Sequence, residues 1–216
     1  MSDLTLRQDI LDELSFDPQL DAAHIGVVVD AGIVTLTGHV SNYAEKLAAE
    51  DAVRRVKGVR AVAEEIEVRV PNHRKTADDE IATRAADILT WDSTIPQDKI
   101  RITVNKGWIY LDGEVDWQFQ RTAAQERLSK LSGLVGVVNN VTIKNQPHLA
   151  DIRRHIDEAF RRNAQIDANA ISIAVQEGGK VILTGDVHGW GERAAAENAV
   201  WSVCGVTRLE SNLRTV

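Results

Sequence analysis

The side chains able to attack, shuttle protons or hold metals do not converge in this sequence. The histidines are His24, His39, His73, His148, His155 and His188. No two of them have the HExxH spacing that puts two imidazoles and a general base on one helix face, so they read as surface or turn residues. The single cysteine, Cys204, leaves no intrachain disulfide to form. Lying beside Gly205 at the end of a helical pattern, it is expected to be a buried structural thiol rather than a nucleophile. Glu64-Glu65 falls on a strand pattern and Asp78-Asp79-Glu80 at a helix start, where the helix dipole favours acids. Gly178-Gly179 reads as a turn, not a phosphate-cradling loop opening a helix. Catalysis is not expected, and the sequence assigns no catalytic residue, no metal ligand and no cofactor.

The aromatic residues carry more information. Five tryptophans stand against two tyrosines and three phenylalanines. Tyr43, Trp117 and Trp190 occur just before a helical pattern in each of three similar segments, within one position of one another, and Phe16 and Trp91 occupy matching places after an earlier helix. Rings with one apolar and one polar end suit packing between segments, a lipid interface or a protein partner. Packing between segments or into a core is the reading favoured, and Tyr43, Trp91, Trp117 and Trp190 are the candidates for ligand, membrane or partner contact.

The elements that must position these rings come in threes. GIVTLTGHVSNYAEKLAAEDAVRRVKGV from Gly32, GWIYLDGEVDWQFQRTAAQERLSKLSGL from Gly107 and GKVILTGDVHGWGERAAAENAVWSVCGV from Gly179 align without gaps. Gly38, Gly113 and Gly185 each lie six residues after the first glycine and twenty before Gly58, Gly133 and Gly205. Such a recurring frame is the signature of tandem repeats.

Upstream of each first glycine, alternating apolar runs from Ile25, Ile100 and Ile171 predict a strand, and the turn residues that follow predict a hairpin to a second strand, with one extra residue in the third copy. A helix comes next, its apolar stripe at Leu47, Ala48, Ala52, Val53 and Val56, matched by Thr122, Ala123, Leu128 and Leu131, where Arg127 breaks it, and by Ala194, Ala195, Ala199, Val200 and Val203. Gly58, Gly133 and Gly205 fit its C-terminal cap, and a closing strand follows. Each copy opens with a helix, Leu4 to Leu14, Asp79 to Leu89 and Leu149 to Phe160, ended by turn residues Asp17, Asp92 and Asn163. The expected fold class is therefore α+β: three tandem αββαβ units, each a three-stranded mixed sheet covered on one face by two helices. The segments around Pro71 and Pro147 are the natural linkers, giving units 1–71, 72–146 and 147–216.

The net charge of -7 gives no general attraction to phosphate backbones, so nucleic acid is not an expected partner. Arg153-Arg154 and Arg161-Arg162 read as solvated helix faces. No apolar run is long enough for a transmembrane segment. The first residues, MSDLTLRQDILDEL, read as an amphipathic helix rather than a secretory leader, and with one cysteine the expectation is a cytoplasmic protein.

With the repeat laid out, the chain resembles the BON domain family of bacterial osmotic-stress and outer-membrane-associated proteins. The residues that carry the resemblance are Val34 to Gly38, Ile109 to Gly113 and Val181 to Gly185, the pairs Gly58-Val59 and Gly205-Val206, and Val138 to Val141. Gly133-Leu134 departs from the Gly-Val pair, and Glu65 stands where the other copies have Asn140 and Asn212. The resemblance implies αββαβ folding, no catalysis, and phospholipid binding, envelope maintenance or an osmotic response. The expected function is a non-enzymatic binding or scaffolding module in stress response that takes a phospholipid, a small ligand or a protein. The alternatives are a cytoplasmic ion sensor, as in family members that sense potassium, and a chaperone-like structural protein.

Overall fold

A computed structural model describes residues 2–72, 75–96, 98–144 and 152–215. In the first unit, helix α1 (Asp3–Phe16) is followed by strands β1 (Ile25–Asp30) and β2 (Ile33–Val40), helix α2 (Tyr43–Arg55) and strand β3 (Ala61–Val68). The second unit repeats this with α3 (Asp78–Trp91), β4 (Ile100–Asn105), β5 (Trp108–Val115), α4 (Gln118–Leu128) and a closing strand in two pieces, β6 (Gly136–Asn139) and β7 (Thr142–Ile143). The third has α5 (Ile152–Arg162), β8 (Ile171–Gln176), β9 (Lys180–Val187), α6 (Trp190–Trp201) and β10 (Arg208–Thr215). The linkers read around Pro71 and Pro147 lie partly outside the described residues.

Each sheet places the second strand in the centre. β2 pairs antiparallel with β1 and parallel with β3, and the same holds for β5 with β4 and β6, and for β9 with β8 and β10. A parallel neighbour requires a crossover, which the second helix of each unit supplies. The break between β6 and β7 falls where the Asn139 side chain donates to the Arg121 carbonyl and accepts from the Val141 amide, competing with the ladder.

The alternation read from sequence buries one face of each sheet. Leu6, Ile10 and Leu14 on α1 meet Ile25, Val27, Val34 and Leu36, and Ile81, Ala85 and Leu89, or Ile152, Ile156 and Phe160, take the same places in the other units. Of the stripe expected on the second helix, Ala52, Val53, Leu128 and Val200 are buried, and the turn before them is shifted by one residue. Ala49, Ala124 and Ala196 are fully buried, each with Val53, Leu128 or Val200 one turn on, whereas Ala48, Ala123 and Ala195 are only part-buried. A residue as small as alanine brings the helix axis close to the sheet at the point where the strands are most crowded.

Gly38, Gly113 and Gly185 mark where the closing of the hairpin leaves no room for a side chain. With φ of +109°, +149° and +149°, a Cβ there would fall 2.0, 2.0 and 2.1 Å from the carbonyl oxygens of His24, Lys99 and Ala170. The helix-capping role expected of Gly58, Gly133 and Gly205 is corrected. α2, α4 and α6 end earlier, with Val56, Ser129 and Ser202 as the capping residues, and the glycines sit in the turn into the closing strand. Tightened bonds such as Val56 to Val53, Leu131 to Leu128 and Val203 to Val200 close the last turn in their place.

The hairpins are tied to the first helices. Asp3 accepts from the Ala31 and Gly32 amides at 3.0 and 3.3 Å, and Asp78 accepts from those of Lys106 and Gly107 at 2.7 and 2.9 Å. Both central residues of each turn have positive φ, which points two successive amides the same way. A carboxylate in the first turn of the helix fits that pair.

Candidate functional site

Phe16 and Trp91 close their helices at equivalent positions and are 84% and 87% exposed. The next residue anchors each tip. Asp17 accepts from the Gln19 amide at 3.0 Å and pairs with Arg55 at 3.1 Å, while Asp92 accepts from the Thr94 amide and hydroxyl at 2.9 and 2.6 Å and from Arg127 at 2.8 Å. The Gln19 amide and Arg55 hold Asp17 below the usual carboxylate range against the small cost of burial. The Thr94 and Arg127 donors bring Asp92 down to about 2. Arg127, which breaks the apolar stripe, is therefore the clamp between α4 and the tip of α3. In the third unit Asn163 makes the same turn with the Gln165 amide at 3.0 Å, and Arg162 stands at the aromatic position.

At the start of the second helices, the third helical side chain reaches back to free amides in every unit. Glu45 accepts from the Ser41 amide at 3.0 Å, Gln120 from Asp116 and Trp117 at 3.1 Å each, and Glu192 from His188 at 2.7 Å and Asp167 at 2.9 Å. Burial opposes ionisation of Glu192, but the two amides and the His188 ring outweigh it and lower its pKa.

The residue at the first helical position is what joins the units. Trp190 of unit 3 donates from Nε1 to the Val59 carbonyl of unit 1 at 2.9 Å, and the Arg54 and Arg193 guanidiniums both lie over its ring, their carbons 5.4 and 5.2 Å from its centroid. Tyr43 of unit 1 packs against the core of unit 2. Burial raises its pKa, partly countered by the Val137 backbone of unit 2. Trp117 lies one position earlier and is half-buried. The true counterpart of Tyr43 and Trp190 is Gln118, whose Oε1 is buried with no hydrogen-bond partner among the described residues. Counting five residues from Gly38, Gly113 and Gly185 would have found it. Arg54 carried no such signal, since its role depends on how units 1 and 3 sit together.

Of the four candidate contact residues, Tyr43 and Trp190 thus stand at junctions between units, Trp117 is half-buried at the start of α4, and Trp91 faces solvent. Cys204 is exposed, correcting the buried thiol expected, because α6 has already ended and the chain is turning outward at Gly205. His24 and His39 stack with centroids 4.7 Å apart at the hairpin of unit 1, a pair brought together by strand pairing and invisible in linear spacing. Among the described residues no group of three or more His, Cys, Asp or Glu side chains is placed to hold a metal, and no helix is long and apolar enough to cross a membrane.

Comparison with known proteins agrees with this architecture. The family model for the BON domain matches residues 2–70, 77–145 and 148–216. Osmotically-inducible protein Y of Escherichia coli (strain K12) is 24% identical over 148 residues, covering 67% of this chain and 74% of that protein. Two structures of CdsD, a structural protein of the type III secretion system of Chlamydia trachomatis, align over 98% and 100% of this chain and 92% and 100% of theirs. Their identities are 13% and 14% and their TM-scores 0.28 and 0.27, values from which nothing is carried over. Matched three times over nearly its whole length, this chain belongs to the BON domain family, as three tandem copies.

Proposed function

We propose that this protein is a non-catalytic binding module of the osmotic stress response whose first-helix tips engage phospholipid surfaces. The observation that carries this reading is the near-complete exposure of Phe16 and Trp91 at one repeat position, 84% and 87%. Leaving two such rings in water forgoes about 1.5–3 kcal/mol of burial each, so their repetition favours a surface that takes them up. An aromatic ring on a short, rigid helix end is suited to the headgroup boundary, where its apolar body is buried without a full crossing. Arg161 and Arg162 at the third tip suit anionic headgroups, against the negative charge of the chain as a whole.

The test is sedimentation of the full chain with phosphatidylcholine vesicles and with vesicles containing phosphatidylglycerol, read alongside tryptophan emission. Binding with a blue shift is expected, weakened about tenfold or more by Phe16→Ala with Trp91→Ala, each ring contributing roughly 1 kcal/mol or more at the interface. No sedimentation with either vesicle would exclude the reading.

A further inference from the structure

The three units differ in how they cover the free edge of the first strand. In unit 1, Arg7 on α1 donates from Nε to the Val27 carbonyl at 2.9 Å, and Leu11 packs against the core one turn further on. The equivalent positions in unit 3 are Arg153 and Asp157, which approach each other to 4.0 Å. In unit 2 they are Ala82 and Ala86. The consequence is local. Ile25 and Val27 are 8% and 4% exposed, and Ile171 and Ile173 are 6% and 8%, but their counterparts Ile100 and Ile102 are only part-buried. A groove of about 390 Å³ opens between α3 and β4, lined by Ala82, Ala86, Leu89, Ile95, Ile100 and Ile102, with Asp98 at its mouth.

This groove runs along an unpaired strand edge. Among the described residues β4 pairs only with β5. The register sets Ile102 opposite Leu111 as it sets Val27 opposite Leu36, so the counterpart of the carbonyl that Arg7 reaches in unit 1 is that of Ile102, where α3 offers Ala82 in place of the arginine. In an antiparallel strand every second residue turns both backbone groups outward, so Ile100 and Val104 present theirs along the same line. Unit 1 indicates what fits there: an N–H donor for the carbonyl and an aliphatic side chain in the space of Leu11. Asp98 in the lining favours a cationic occupant, and α3 also carries Asp79 and Asp87 elsewhere on its exposed surface. A second copy of this chain joined edge to edge would bring these acids against their own kind, and an acyl chain would leave the strand's donors and acceptors unpaired.

We propose that this groove receives an extended, basic segment of another protein, which adds as a strand to the edge of β4 and lays alternate aliphatic side chains over Ala86, Ile100 and Ile102. The groove ends at Thr90, next to the tip of α3, but uses neither Phe16 nor Trp91, and the proposal stands whether or not those rings bind membranes. Backbone pairing supplies the affinity and the groove the selection, as in other strand-addition sites.

The experiment uses the full chain and a fluorescein-labelled octapeptide of alternating valine and lysine, with a valine and glutamate octapeptide as its control. Anisotropy should saturate for the lysine peptide and require at least tenfold more protein for the glutamate one. Ala82→Arg with Ala86→Leu, which copies the unit 1 residues into unit 2, should weaken binding at least tenfold. In the unaltered protein the peptide should slow amide hydrogen exchange at Ile100, Ile102 and Val104. No binding, equal binding to the filled variant, or slowing confined to other strands would overturn the proposal. So would slowing of the same amides by decanoate but not by peptide, or a dimer in sedimentation that only the filled variant dissolves.

Discussion

At the residue scale the tips of the first helices couple charge to turn geometry. Asp92 has its pKa drawn down to about 2 by Thr94 and Arg127, so the folded state holds its proton less tightly than an unfolded aspartate near 3.8. A group depressed in this way adds stability above its unfolded pKa and loses it as pH falls toward the folded value. Urea unfolding between pH 5 and pH 2.5 should therefore show a loss of stability that Asp92→Asn makes shallower. The asparagine keeps the turn, as Asn163 does in unit 3. An unchanged slope in the variant would place the acid sensitivity elsewhere. The turn role of Asp17, Asp92 and Asn163 was legible because a short side chain bonding two residues ahead is a local event. The pairing of Arg127 with Asp92 was not, since those residues are 35 apart and meet only when α3 and α4 pack.

At the scale of elements, the apolar frame and the glycines were enough to lay out helices and strands, because a strand's alternation and a hairpin's left-handed turn are dictated by neighbours in sequence. Two details escaped. The second helix buries Ala49, Ala124 and Ala196, one place past the expected Ala48, Ala123 and Ala195, while Val53, Leu128 and Val200 are buried as expected. The acids read as dipole partners at the start of α3 include Asp78, which also clamps the hairpin of β4 and β5 through the Lys106 and Gly107 amides. Asp78→Ala should cost roughly 1–2 kcal/mol, in the range of lost helix caps, measured by urea unfolding. Hydrogen exchange should quicken at Lys106 and Gly107 and leave the equivalent turn at Ala31 and Gly32 untouched. Uniform quickening across both turns would mean the clamp is not local.

For the whole molecule, the aromatic residues at the starts of the second helices bear most on how the units sit together. Trp190 bonds unit 1 at Val59 and stacks on Arg54, so Trp190→Ala should weaken docking of units 1 and 3 by about 2–3 kcal/mol, short of the 3–5 of a fully buried tryptophan. Combined with Arg54→Ala in a double-mutant cycle followed by urea unfolding, the two changes should fall short of additive by on the order of 0.5–1 kcal/mol. Strict additivity would show that the stacked guanidinium is a bystander. Packing between units or into a core was the reading favoured from their amphipathic chemistry, and Tyr43 and Trp190 are found against another unit. Which unit each one meets could not be seen, because nothing local in a sequence records which repeat lies against which.

The bond from Trp190 to Val59 spans 131 residues, and this distance has a consequence for synthesis. The first unit leaves the ribosome with the Val59 carbonyl and the face of the Arg54 guanidinium that meets Trp190 uncovered, and at about 5–20 residues per second their partner follows on the order of ten seconds later. During that interval the nascent chain carries an open docking place. A charged guanidinium at its rim holds water there, so the waiting surface is wet rather than adhesive until the last unit arrives to displace it.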